Sequence, residues 1–98
     1  MKPQAIFQEL EGAAEQLAVK VSYESLAAMV GHGGLCRVNG QYRVIIDKRA
    51  TPFERASTLA VALAQLDTSG VRMHRKAREW VDYYRARMNA RPQHAQPA

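Results

Sequence analysis

The chain has 98 residues, 47% of them hydrophobic and 23% charged, with a formal net charge of +5. That is enough for one domain with a modest core and too little for two, and the composition is that of a globular protein. A single cysteine excludes an internal disulfide, no apolar run reaches the roughly 18–20 residues of a membrane span, and the opening Met1-Lys2-Pro3-Gln4-Ala5 carries no signal-peptide pattern, so cytoplasmic placement is expected.

Ile6, Leu10, Ala13, Leu17 and Val21 recur at helical spacing and predict a first helix over 4–19, weakened in its middle by Gly12. Val19-Lys20-Val21-Ser22-Tyr23 then alternates and is β-branched, which predicts a short strand with Val19, Val21 and Tyr23 on one face. The segment Glu24–Val30 fits one or two helical turns at a sheet edge without requiring them. Gly31-His32-Gly33-Gly34 is a loop. It is no phosphate cradle, because a strand and not a helix follows it.

Leu35–Val38 and Tyr42–Asp47 read as hairpin arms joined by Asn39-Gly40, two residues that accept the positive φ of a type I′ turn. Tyr42, Val44 and Ile46 form the core face of the second arm. Thr51-Pro52-Phe53-Glu54 is a helix start, with a threonine cap, a proline at the first position and a glutamate placed to close a capping box. The helix is predicted to run to about Leu66 and, being apolar almost all round, to be the central buried one. A last helix is predicted over 73–88. Ala77, Val81, Tyr84 and Met88 form its buried stripe, Arg75, Arg78, Asp82 and Arg85 face out, and Trp80, Tyr83 and Arg87 lie on a flank. From Asn89 the sequence reads as a frayed tail. The expected architecture is therefore α+β: an N-terminal helix, a small three-stranded sheet containing a hairpin, then two helices. It forms a single domain over 1–88 with a flexible tail over 89–98.

Few side chains suggest chemistry. Cys36, His32 and Asp47 could meet around the hairpin as a thiol, imidazole and carboxylate, but Cys36 reads first as a buried small hydrophobe and His32 as an exposed loop residue. His74 reads as surface or local capping detail, and His94 falls in the tail. Charge is more informative. Residues 72–98 carry seven basic side chains (Arg72, Arg75, Lys76, Arg78, Arg85, Arg87 and Arg91) against Glu79 and Asp82. This basic segment contains Trp80 and Tyr83, which are neighbours on one helical face with Arg87 four residues beyond. Tryptophan, tyrosine and arginine are the residues enriched at protein interfaces. The same residues admit a second reading, a phosphate track with rings for base stacking.

The stretches Leu10–Ser25, Gly34–Asp47 and Pro52–Asp67 together resemble the N-terminal part of the ImmA/IrrE family of zinc-peptidase-like proteins. There a strand and polar turn lead into a buried helix reading Thr-Leu-Ala-His-Glu-Leu-Gly-His, where this chain reads Thr58-Leu59-Ala60-Val61-Ala62-Leu63-Ala64-Gln65. Val44-Ile45-Ile46-Asp47, Arg49, Pro52, Glu54 and Arg55 match the family style as well. The resemblance implies a zincin-like N-terminal subdomain whose metal site is lost. Val61 and Gln65 stand where the two ligand histidines would be, and Ala62 stands where the glutamate that activates water would be. Neither valine nor alanine offers a lone pair. Ser57, Thr58 and Gln65 are then either weak polar contacts or the remains of a site that once opened there. The expectation is a pseudoenzyme with no catalytic residue, cofactor or metal. It would serve as a protein-interaction or regulatory module, binding a protein partner or forming a homodimer through Trp80, Tyr83 and Arg87. Nucleic-acid binding by the basic last helix is the alternative, and no membrane is involved.

Overall fold

The computed structural model describes residues 1–25 and 34–94, with side chains as far as Asn89. The readings of Glu24–Val30 and Gly31–Gly34 therefore fall almost wholly outside the described residues, as does His32. Helix α1 spans Pro3–Gln16, with Pro3 at its first turn and Ile6, Phe7, Leu10, Ala13 and Ala14 buried. It ends three residues earlier than the apolar spacing predicts. The amide of Val19 donates to the Ala14 carbonyl (2.9 Å) and that of Ala18 to the Glu15 carbonyl (3.1 Å), the paired bonds of a Schellman stop. Ala18 accordingly takes a left-handed conformation, φ 58°.

Strand β1 (Lys20–Glu24), β2 (Gly34–Val38) and β3 (Gln41–Asp47) form one sheet in the order β1-β3-β2. The hairpin expected at Asn39-Gly40 is present, with φ 53° and 81° at the two turn residues. β2 and β3 pair antiparallel, whereas β1 joins the other edge of β3 in parallel, Val21 facing Val44 and Tyr23 facing Ile46. Val44 and Ile46 are fully buried on the face that carries the helices. Cys36 pairs with Arg43 on the opposite face and is half-buried, so it is not the core thiol that its neighbours suggested. At the β1 edge, Tyr23 lies edge-on to Phe7 and its hydroxyl donates to Glu11 (3.1 Å). Burial there pushes the Tyr23 phenol above its ordinary pKa, helped by the Glu11 carboxylate.

Helix α2 spans Pro52–Ala64 and begins as its sequence requires. The Glu54 amide donates to Thr51 Oγ1 (3.2 Å), and the Thr51 amide donates to Glu54 Oε1 (2.9 Å). Leu59, Ala60 and Leu63 are fully buried, because α2 packs against α1, the sheet and the last helix at once. Its alanines let these neighbours approach closely. Helix α3 runs from Arg75 to His94, past the end expected at Met88, so the helix includes the start of the supposed tail. It rests on α2 and α1 and makes no contact with the sheet among the described residues. Ala77 and Val81 are its buried stripe, with Tyr84 and Met88 partly buried beside them, as expected.

The turn between α2 and α3 corrects one expectation. Arg78 and Arg85 do not face out into solvent. Arg85 donates to the carbonyls of Ala64 (3.2 Å), Leu63 (3.4 Å) and Leu66 (2.8 Å) and to Thr68 Oγ1 (3.1 Å), while Arg78 donates to the carbonyls of Thr68 and Val71. Arg85 thus satisfies the last carbonyl of α2, and the two guanidinium groups together satisfy the carbonyls of the turn and the buried Thr68. Within the same turn the Ser69 amide donates to Asp67 Oδ1 (2.9 Å), which holds that exposed carboxyl below its ordinary pKa. The approach to α3 is pinned to α1. Gln16 exchanges two hydrogen bonds with the backbone of Arg72 (2.7 and 2.8 Å), and the His74 amide donates to Glu9 (2.9 Å). His74 Nδ1 accepts from the Lys76 amide (3.0 Å), so His74 is the N-cap of α3.

Candidate interaction surface

The start of α2 crosses the middle of α3, and the crossing leaves an apolar groove of about 380 Å3 lined by Phe53, Glu79, Trp80, Tyr83 and Tyr84. Phe53 is in the first turn of α2, off the stripe formed by Ala56, Leu59, Ala60 and Leu63, and therefore points away from the core. Its ring lies 5.4 Å from that of Trp80, at 59°. Tyr83 and Tyr84 meet edge to face, 5.1 Å apart at 83°. Trp80 and Tyr84 are half-buried against the core, whereas Phe53 is 57% and Tyr83 56% exposed. The groove thus has a fixed floor and two free walls.

Of the residues singled out in the sequence, Trp80 and Tyr83 line this groove together. Arg87 lies at its margin, with its guanidinium carbon 5.4 Å from the centre of the Tyr83 ring, in cation–π contact. Tyr84 also fits the sequence expectation, which sets Tyr84 or Met88 at the margin of this surface, whereas Phe53 and Glu79 are not among the expected site residues. Tyr84 belongs to the buried stripe as well, and its hydroxyl donates to Ser57 Oγ (3.1 Å). Lys76 Nζ is 3.9 Å from Glu79 Oε1, an exposed pair of small energetic weight.

Val61, Ala62 and Gln65, the positions that the resemblance sets against a metal motif, gather elsewhere. They line a shallow cavity of about 240 Å3 between α2 and the edge strand β2, together with Leu35, Ser57 and Thr58. Gln65 Nε2 donates to the Val61 carbonyl one turn back (3.3 Å), and Ser57 is engaged by Tyr84, so these polar groups make ordinary local contacts. Among the described residues the lining offers hydroxyls and an amide but no carboxylate, imidazole or thiol. Among the described residues no three His, Cys, Asp or Glu side chains stand close enough together to hold a metal ion. Cys36 and Asp47 are not register partners on β2 and β3, since Cys36 faces Arg43 and Asp47 lies opposite Glu24. No described helix is long and apolar enough to cross a membrane. Comparison of the chain with protein-family models, curated proteins and solved structures finds no match, so the groove and the cavity stand on their own geometry.

Proposed function

We propose that the chain is a non-catalytic protein-interaction or regulatory module on a degenerate zinc-peptidase-like scaffold, with the groove between α2 and α3 as its contact surface. Pairing with a second copy is the simplest form. One observation carries this reading: Phe53 and Tyr83 are each more than half exposed while sharing a groove with Trp80. Covering two such rings removes on the order of 200 Å2 from water, about 5 kcal/mol. That only begins to offset the cost of association, so the partner must also contact the length of α3.

Nucleic-acid binding is less well supported by the same geometry. Arg78 and Arg85 are engaged by their own turn, Lys76 faces Glu79, and Arg87 lies on Tyr83. Four of the basic side chains of α3 thus already have partners within the chain, which leaves fewer to follow a phosphate backbone.

Light scattering over a concentration series, with circular dichroism alongside, tests the proposal. The wild type is expected to exceed monomer mass, and Trp80→Ala with Tyr83→Ala to return it to monomer with the fold intact. Because Trp80 is half-buried, Phe53→Ser with Tyr83→Ser provides a second, purely superficial variant. A wild type that stays monomeric at every concentration removes the self-pairing form. Assembly that survives both variants removes the groove as the contact surface.

A further inference from the structure

We propose that the groove is a cation cage: the partner it takes inserts an arginine guanidinium or an alkylated lysine ammonium between the rings, beside Glu79. The inference rests on the groove being a docking surface and names the chemistry of what docks. Four aromatic rings line this one space, and a ring face is the negative end of its quadrupole. The two ring pairs are inclined at 59° and 83°, so neither pair is stacked face to face. Glu79 supplies a formal negative charge on the same wall, and among the described residues no lysine or arginine side chain lines the groove.

The chain's own cations already follow this field. Arg87 lies over Tyr83 at 5.4 Å and Lys76 reaches toward Glu79 at 3.9 Å. Both are rim contacts with the groove interior left open, and the Lys76–Glu79 pair is exposed enough to exchange for a better partner. Arg87 and Lys76 compete with an incoming cation at the rim, while the overall charge of +5 opposes it at long range. Beyond about 8 Å that overall charge is screened at physiological salt, while the rings and Glu79 act at contact. An apolar floor suits the methylene stem that carries such a charge.

Trp80 is the single tryptophan of the chain, so its emission and its indole proton shift read groove occupancy directly. The probes are acetyl-arginine amide, acetyl-trimethyllysine amide and the uncharged analogue of the latter with carbon in place of the quaternary nitrogen. Both cations, or one of them, should bind saturably and about tenfold or more tighter than the neutral analogue, the discrimination expected of a desolvated cation on several rings. Glu79→Gln should weaken that binding several-fold, and Arg87→Gln, which removes a competing cation, should strengthen it. If the neutral analogue binds equally well, the groove is merely apolar and the cage is wrong, although the interaction reading stands. If neither cation binds while assembly through the groove persists in light scattering, the cage again fails alone. A nucleoside monophosphate that outcompetes both cations would overturn it in favour of base stacking. Loss of both ligand binding and assembly would remove the cage and the docking surface together.

Discussion

Ala18 holds a left-handed backbone, φ 58°, at the position just beyond α1 where most such helix ends carry glycine. A Cβ in that conformation costs about 1–2 kcal/mol, whereas glycine loses about 0.4–1 kcal/mol through its freer unfolded state. Ala18→Gly is therefore expected to stabilise the protein by about 0.5–1 kcal/mol in urea melts. The opposite substitution belongs at Gly12, which is mid-helix, exposed and with open space where a Cβ would stand. There Gly12→Ala should add a similar amount, about 0.5–1 kcal/mol. A loss of stability at position 18 would mean that the turn depends on its methyl group. This residue also explains why the end of α1 was misread. A stop signalled by alanine does not look like one, so the apolar spacing through Leu17 and Val21 extended the helix on paper. Asn39-Gly40 needed no such inference, because its residue types and its conformation agree.

Between elements, the guanidinium of Arg85 does what a glycine cap does elsewhere. Helix α2 has no basic residue in its last turn and ends on Gln65 in a right-handed conformation. The amides of Gln65 and Leu66 turn back to the Ala62 and Leu63 carbonyls, while the Ala64 carbonyl and those of the turn beyond look to Arg85 and Arg78. Arg85 reaches back from α3 to Leu63, Ala64 and Leu66, and Arg78 to Thr68 and Val71 in the turn. A helical wheel records where a Cβ points, not where a long side chain ends, which is why both arginines read as solvent-facing in the sequence. Arg85→Met keeps most of the apolar stem and removes the fork. It is expected to cost about 2–3 kcal/mol, since it strands Thr68 Oγ1 and the carbonyls together. Arg85→Lys should recover only part, because an ammonium cannot span that many acceptors in one plane. Arg87→Met, on an exposed ring face, should cost under about 1 kcal/mol. Equal losses at 85 and 87 in denaturant melts would show that Arg85 is no clamp.

At the scale of the molecule, the helices, the hairpin and the buried α2 follow from periodicity and caps, whereas the parallel docking of β1 on β3 does not. Alternation at Val19, Val21 and Tyr23 states which face is apolar, and it is silent on which strand lies alongside. The groove divides in the same way. Trp80, Tyr83 and Arg87 share a helical face by spacing alone, and Glu79, four residues before Tyr83, belongs to the same face, but Phe53 joins them only because α2 crosses α3 at that point. The lengths of those two helices carry a further consequence. With 20 residues against 13, α3 is about 30 Å long and α2 about 20 Å, and α3 has no sheet to lie on. It is tied by Gln16 and Glu9 at its start and by the arginine clamps as far as Arg85, and Met88 is the last of its described side chains packed against the core. Cooperative stability therefore runs down along a single helix. Amide hydrogen exchange should find Val81 to Arg85 nearly as slow as α2, and the amides after Met88 faster by orders of magnitude. The aromatic groove sits where that gradient begins to fall. A partner seated there would slow exchange toward the C-terminal end of α3, so the helix itself would report the encounter.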